Sequence, residues 1–153
     1  MNTKQEKLEA FAELAGFAES LERLSEEQWA GPIAEGKWSP RDIISHMMLW
    51  DRYFLENALR PMAEHRPMTL KPLDFNEFNR DAAAYGLTQS KQDLIRQTVE
   101  ARRQLVEVIE GIPESEFGHR HEDKLSVDEY LLDFYEHDRH HMAQIHTYLA
   151  SFA

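Results

Sequence analysis

Cysteine is absent from this chain of 153 residues. That excludes disulfide staples, thiolate metal ligands and a cysteine nucleophile, and it removes one usual marker of secretion. No run of about 18 or more apolar residues occurs, so no transmembrane helix is expected. The opening stretch "MNTKQEKLEAFAELAGF" is charged and lacks the continuous apolar segment of a secretory signal. A cytoplasmic location is the expectation that follows. Positive charge is also scarce: 17 Lys+Arg stand against 28 Asp+Glu, a formal net charge of −11. The basic residues are scattered, "ARRQL" at 101–105 holding the densest pair, which argues against nucleic acid and anionic membranes as partners. The acidic surplus reads as a means of solubility. A Gly-rich phosphate loop, a Gly-x-Ser-x-Gly elbow and a His-Glu-x-x-His motif are all missing.

What the chain does contain is helical periodicity. Six glycines and six prolines punctuate it, and no convincing strand alternation interrupts the pattern. The length and a hydrophobic fraction of 42% fit one domain, 1–153, with a single sizeable core. The spacing of Leu8, Phe11, Leu14, Ala15, Ala18, Leu21 and Leu24 predicts a first helix from about Lys4 to Leu24. "SEEQW" at 25–29 predicts one short turn capped by Ser25, before "AGPIAEGKW" breaks the chain. "WSPRDI" carries a strong start signal, with Ser39 as cap, Pro40 at the first helical position and Asp42 completing a capping box. This second helix is expected to reach about Leu59 and stop before Pro61, leaving 61–74 as a long loop with a short helix after it in "FNEFNRDAAAY". A third long helix is expected from Ser90 to Gly111, and a fourth from Ser126 to about Phe152. Four such helices without strands make an all-α, four-helix bundle.

Four of the eight histidines fall between positions 137 and 146. The buried stripe of the fourth helix reads Val127, Tyr130, Leu131, Phe134, then Ile145, Tyr148, Leu149 and Phe152. His137 and His141 continue it through the middle, one turn apart, so their rings can converge on one atom. An unpaired imidazole on a core face is costly. On the second helix Ile43, Met47, Trp50 and Phe54 mark the buried face, and His46 lies among them. Three inward histidines on two helices form a candidate metal site, suited to zinc, nickel or iron, with a coordination position left open. A lone histidine at such a place is more often a hydrogen-bonded core residue; the coincidence of three carries the metal reading.

The stretches "GKWSPRDIISHMMLWDRYF" and "HDRHHMAQI" resemble the DinB/YfiT-like family of metalloenzymes, and the similarity covers nearly the whole chain. The resemblance implies a mirror variant of the up-and-down bundle, often dimeric, holding zinc or nickel. It implies His46, His137 and His141 as the metal ligands, with His140 outside the set. Relatives include thiol-dependent S-transferases, so the implied activity is metal-assisted transfer of a low-molecular-weight thiol to an electrophilic small molecule. A hydrolase using metal-activated water, or a non-catalytic metal- or ligand-binding stress-resistance protein, is the alternative. No catalytic acid or base is evident.

Around the cluster, Gln144 is placed to hydrogen-bond a ligand ring or to contact another helix. Asp51 and Asp138 are candidates for orienting an imidazole, as carboxylates often do beside metals. Trp38 and Trp50 read as core rather than substrate platforms, and Met47, Met48, Met62 and Met68 as core or loop filler. His119 and His121 read as a solvated loop pair. The loop 61–74, or the "FNEFNR" segment after it, is expected to help wall the site.

Overall fold

A computed structural model of the chain describes residues 3–152. Helix α1 (Lys4–Ser20) is capped by Thr3 and ends in a 3-10 turn at Leu21–Arg23, and all seven residues of its expected stripe are buried. The short α2 (Glu26–Ala30) begins with a full Ser25/Gln28 capping box. Ser39 and Asp42 cap each other's backbone at the start of α3 (Pro40–Phe54), and Pro40 opens the helix as its fixed φ favours.

The expected stop before Pro61 does not occur. Helix α3 runs through a π-turn at Leu55–Leu59 into α4 (Arg60–Ala63), so Pro61 lies inside a continuous helical rod. Proline removes an N–H and crowds the carbonyl four residues back, here that of Asn57. The wider π-turn makes room, and the Asn57 carbonyl accepts instead from the Thr69 N–H at 2.9 Å. The Thr69 hydroxyl also donates to the Asn57 side chain at 2.7 Å. The proline defect thus becomes the anchor of the following loop. The rod ends at His65, whose φ of 55° places it in the left-handed region. His65 N–H and Arg66 N–H return to the carbonyls of Met62 and Pro61, the pairing of a Schellman motif. The expected loop therefore starts some four residues later than Pro61.

Helix α5 (Phe75–Leu87) lies across α3, closely enough that a Cβ at Gly86 would come within 3.0 Å of Ser45 Cβ. The Ser45 hydroxyl donates to the Ala82 carbonyl at 2.6 Å, fixing this contact. Helix α6 (Lys91–Glu110) is capped by Ser90, and α7 (Val127–Ala150) by a full Ser126/Glu129 box. Phe152, expected on the buried stripe of α7, is exposed beyond the helix end.

The four long helices form the bundle, but the first two in the chain are not bundle neighbours. Helix α1 packs on α6 and α7, and α3 packs on the same two, so α1 and α3 stand on one diagonal. This order brings α3 and α7 side by side although residues 55–126 separate them in the chain. The core has two apolar halves. One gathers Leu14, Trp29, Met47, Leu94 and Ile145, and the other Phe11, Leu59, Leu105, Phe117 and Tyr130.

Between these halves lies a charged layer. Arg102 of α6, fully buried, binds Asp51 of α3 through Nε and Nη2 at 2.9 and 3.0 Å. It binds Asp138 of α7 through Nη1 and Nη2 at 2.6 and 3.1 Å, and Nη1 also donates to the Phe11 carbonyl of α1 at 2.8 Å. A guanidinium has five N–H donors, and all five are used here. One side chain ties all four helices. No helix among the described residues is long and apolar enough to cross a membrane.

Candidate metal centre

His46 comes from the middle of α3, and His137 and His141 come from successive turns of α7. The bundle order places them face to face. His137 Nε2 lies 3.3 Å from His46 Nε2 and 3.2 Å from His141 Nε2. One nitrogen of each ring lies within 4.8 Å of the other two. His46 is buried, whereas His137 and His141 are half-buried at the opening of the site. His140 is exposed, outside this convergence, as the helical stripe implies.

The outer nitrogens decide what the inner ones can do. The Asn79 side-chain oxygen of α5 accepts the Trp50 indole N–H at 3.0 Å and faces His46 Nδ1 at 2.8 Å. An indole nitrogen only donates, so it fixes which end of the Asn79 amide faces inward. His46 Nδ1 must then donate its proton, which leaves Nε2 with a bare lone pair. On α7, Gln144 Oε1 faces His141 Nδ1 at 2.8 Å and sets the same tautomer. Burial, aided by the neighbouring histidines, lowers the pKa of His46 to about 3 against the pull of Asn79. Burial and His137 lower that of His141 to about 4, and burial also lowers that of His137. All three imidazoles are neutral at pH 7, the ligand form.

This donor set fits a divalent cation. Nitrogen ligands at about 2.0–2.1 Å in tetrahedral array stand about 3.3 Å from one another, close to both nitrogen spacings in the cluster. His137 Nε2 lies within hydrogen-bond distance of both partners, and a cation would take the lone pairs of all three rings at once.

Some expectations need correction. Asp51 and Asp138 orient no imidazole; both carboxylates are held by Arg102. Amide oxygens take that role, from Gln144, which the sequence pointed to, and from Asn79, which it did not. Trp38 packs half-buried against the first core half, its ring 5.1 Å from that of His46, whereas Trp50 is half-buried outside both halves. His121 is half-buried and its Nε2 has no hydrogen-bond partner, so it is not part of a solvated pair. The four methionines are buried, as expected.

Two clefts flank the cluster. One, of about 400 Å³, is lined by His46, His137, Trp50, Phe54, Phe75, Asn79, Asp133 and Phe134. Phe75 and Asn79 belong to "FNEFNR", so that segment walls the site, while the loop before it contributes nothing to the lining. The other cleft, of about 210 Å³, borders His141 and Gln144 together with Trp38 and Lys37.

The chain matches the DinB superfamily over residues 12–145. It belongs to that superfamily. Among solved structures, YfiT from Bacillus subtilis superposes with a TM-score of 0.74 at 14% identity, over 99% of this chain and 90% of that one. YfiT is described as a probable metal-dependent hydrolase with an unusual four-helix bundle topology, and at this identity the likeness shows the fold. No curated protein matches this chain in sequence. For a DinB-superfamily member the described bundle and its three-histidine group accord with a divalent metal.

The lowered histidine pKa values carry a sign. Unfolded histidine takes up its proton near about 6.5, whereas folded His46 resists until about 3. Between those values the unfolded state binds more protons, so stability rises with pH and is lost as pH falls. With metal chelated, urea midpoints should be at their plateau above pH 7 and drop clearly by pH 5. A midpoint unchanged from pH 7 to 5 would contradict the buried, neutral state of these rings.

Proposed function

We propose that this DinB-superfamily chain is a divalent-metal-dependent enzyme, its ion held by His46, His137 and His141. The observation that carries this is the convergence of three Nε2 atoms, two of them with the outer nitrogen anchored to an amide oxygen. A bound zinc or nickel ion would supply Lewis acidity, which makes a thiol or water nucleophilic at neutral pH. Three protein donors leave room for such a group, and Asp133 is the sole carboxylate in the lining of the larger cleft.

The reaction proposed is S-transfer from a low-molecular-weight thiol to an electrophilic small molecule. The pair of clefts on either side of the cluster supports it, since a transfer needs space for two reactants. The larger cleft would take the electrophile, and the Lys37 side would take the thiol. A carbon–sulfur bond forms as the leaving group departs, and the thiol proton ends on that group or in water. Hydrolysis is the second reading, favoured by the shared fold with YfiT. A single domain acting as a cytoplasmic homodimer completes the proposal.

Protein purified without a histidine tag should carry close to one zinc or nickel per chain. Turnover of electrophilic substrates should then depend on added thiol. Turnover that is equal without thiol would select hydrolysis, and a metal-free protein with the same turnover would remove the metal reading altogether.

A further inference from the structure

The larger cleft has a composition that speaks to what it accepts. Four of its eight lining residues are the aromatic side chains Trp50, Phe54, Phe75 and Phe134. Their rings contact in a chain: Trp50 lies 6.0 Å from Phe54 and 5.6 Å from Phe75, and Phe54 lies 5.0 Å from Phe134. Phe78 stacks behind Trp50 at 4.0 Å and holds that wall. Phe75 is 65% exposed, far more than a phenylalanine with a purely structural role, and it stands at the mouth. The volume of about 400 Å³ is at the small end of ligand sites, room for one ring and a short chain.

The polar groups are few and one-sided. The Asn79 oxygen is filled by Trp50 and His46, and its amide N–H groups are neutral donors. The two histidines present their Nε2 atoms to the cluster. The charged side chain of the lining is Asp133, one turn before His137 on α7, exposed and with no ion-pair or hydrogen-bond partner among the described residues. No lysine or arginine lines the cleft. A carboxylate beside the histidines would meet the ion they are proposed to hold, but on the Asp133 side of the cleft an anionic group would meet aromatic π-faces, a carboxylate and a surface of net charge −11. An ammonium group would meet the same features as attractions, since aromatic faces and a carboxylate both favour cations.

We infer that the substrate bound in this cleft is a small organic cation, an aromatic or similarly flat apolar body bearing an amine, with Asp133 as the charge-selecting residue and Phe75 as the exposed face of the aromatic wall. This rests on the metal-enzyme reading for its chemistry, but not for its binding. Asp133 here acts on affinity for a charged group, so its removal should not affect neutral ligands.

The probes are 2-phenylethylamine and 2-phenylethanol, titrated into the metal-loaded full-length protein, and phenylacetate, titrated into the metal-free protein because its carboxylate can ligate the ion, while tryptophan fluorescence and heat are recorded. The amine should bind about fivefold tighter than the alcohol, the upper range for a solvent-accessible ion pair. Asp133→Asn should bring amine and alcohol together, and Asp133→Lys should shift preference away from the amine. Phe75→Ala should weaken amine and alcohol alike by about fivefold, the share of an aromatic contact. An amine preference that survives both Asp133 variants would overturn the assignment, as would equal binding of all three probes to the wild type. Repeating the amine and alcohol titrations in chelator separates the two readings. Binding that persists there with the same charge preference supports the cleft even if the metal proposal fails, and a preference present only with metal overturns the role given to Asp133.

Discussion

Alanine at His46, His137 or His141 should each strip the protein of nearly all bound zinc or nickel, while His140→Ala should leave metal content unchanged. Each of the three supplies one of the converging nitrogens, and His140 is exposed and outside them. Asn79→Ala and Gln144→Ala should give a graded loss, weakening metal by about 10–100-fold, because they hold the outer ring nitrogens rather than the ion. Metal analysis after dialysis, with competition against a chromophoric chelator, measures both classes. Folding is checked on metal-free samples. His137→Ala should melt close to the metal-free wild type, since this ring is half-buried and its outer nitrogen, unlike those of His46 and His141, is anchored to no amide oxygen. Metal lost from His140→Ala and kept by His141→Ala would put the register of α7 wrong by one residue.

How much of this could be read in advance depended on whether the deciding contacts were local. The Ser39/Asp42 and Ser126/Glu129 boxes close within three residues, so the starts of α3 and α7 were legible. The i, i+4 spacing of His137 and His141 is a property of one helix, and it was legible too. Pro61 was misread because the partner that relieves its defect, the Thr69 N–H, lies in a loop with no periodic signal. Asn79 gave a signal of the right kind: it interrupts the face that Phe75, Phe78, Ala82 and Gly86 form on α5, much as His46 interrupts that of α3. It went unread because the sequence does not say what α5 packs against. Arg102 likewise interrupts the apolar stripe of Val99, Leu105 and Ile109, but an arginine is ordinarily assigned to the surface. Its two carboxylate partners sit on α3 and α7, and only the diagonal placement of α1 and α3 brings them together.

Arg102→Met should destabilise the protein by about 3–5 kcal/mol, the loss expected when one member of a buried ion network is removed. For a chain of this size that is a fall in melting temperature of roughly 10 °C. The variant leaves Asp51 and Asp138 buried without a counter-charge and frees the Phe11 carbonyl. Arg102→Lys should recover little, because an ammonium offers three donors to a site that uses five. Burial already pushes both aspartates above the usual carboxylate range, against the pull of Arg102. Burial opposes the charge on Arg102 as well, but the two carboxylates outweigh it and drive its pKa up. Without the guanidinium, the aspartates should rise further and prefer the protonated form. A carboxyl whose folded pKa is raised stabilises at low pH and loses that contribution as pH climbs through it. Arg102→Met should therefore gain stability relative to the wild type between pH 7 and 5, where the buried histidines make the metal-free wild type lose it. Adding Asp51→Asn and Asp138→Asn should restore part of the loss at pH 7, since neutral amides remove the unpaired charge. Metal affinity should fall in Arg102→Met even below its melting range, because Asp138 adjoins His137 and Asp51 adjoins Trp50, whose indole fixes Asn79. A variant that melts like the wild type and binds metal equally well would show that the bundle keeps its register without this layer.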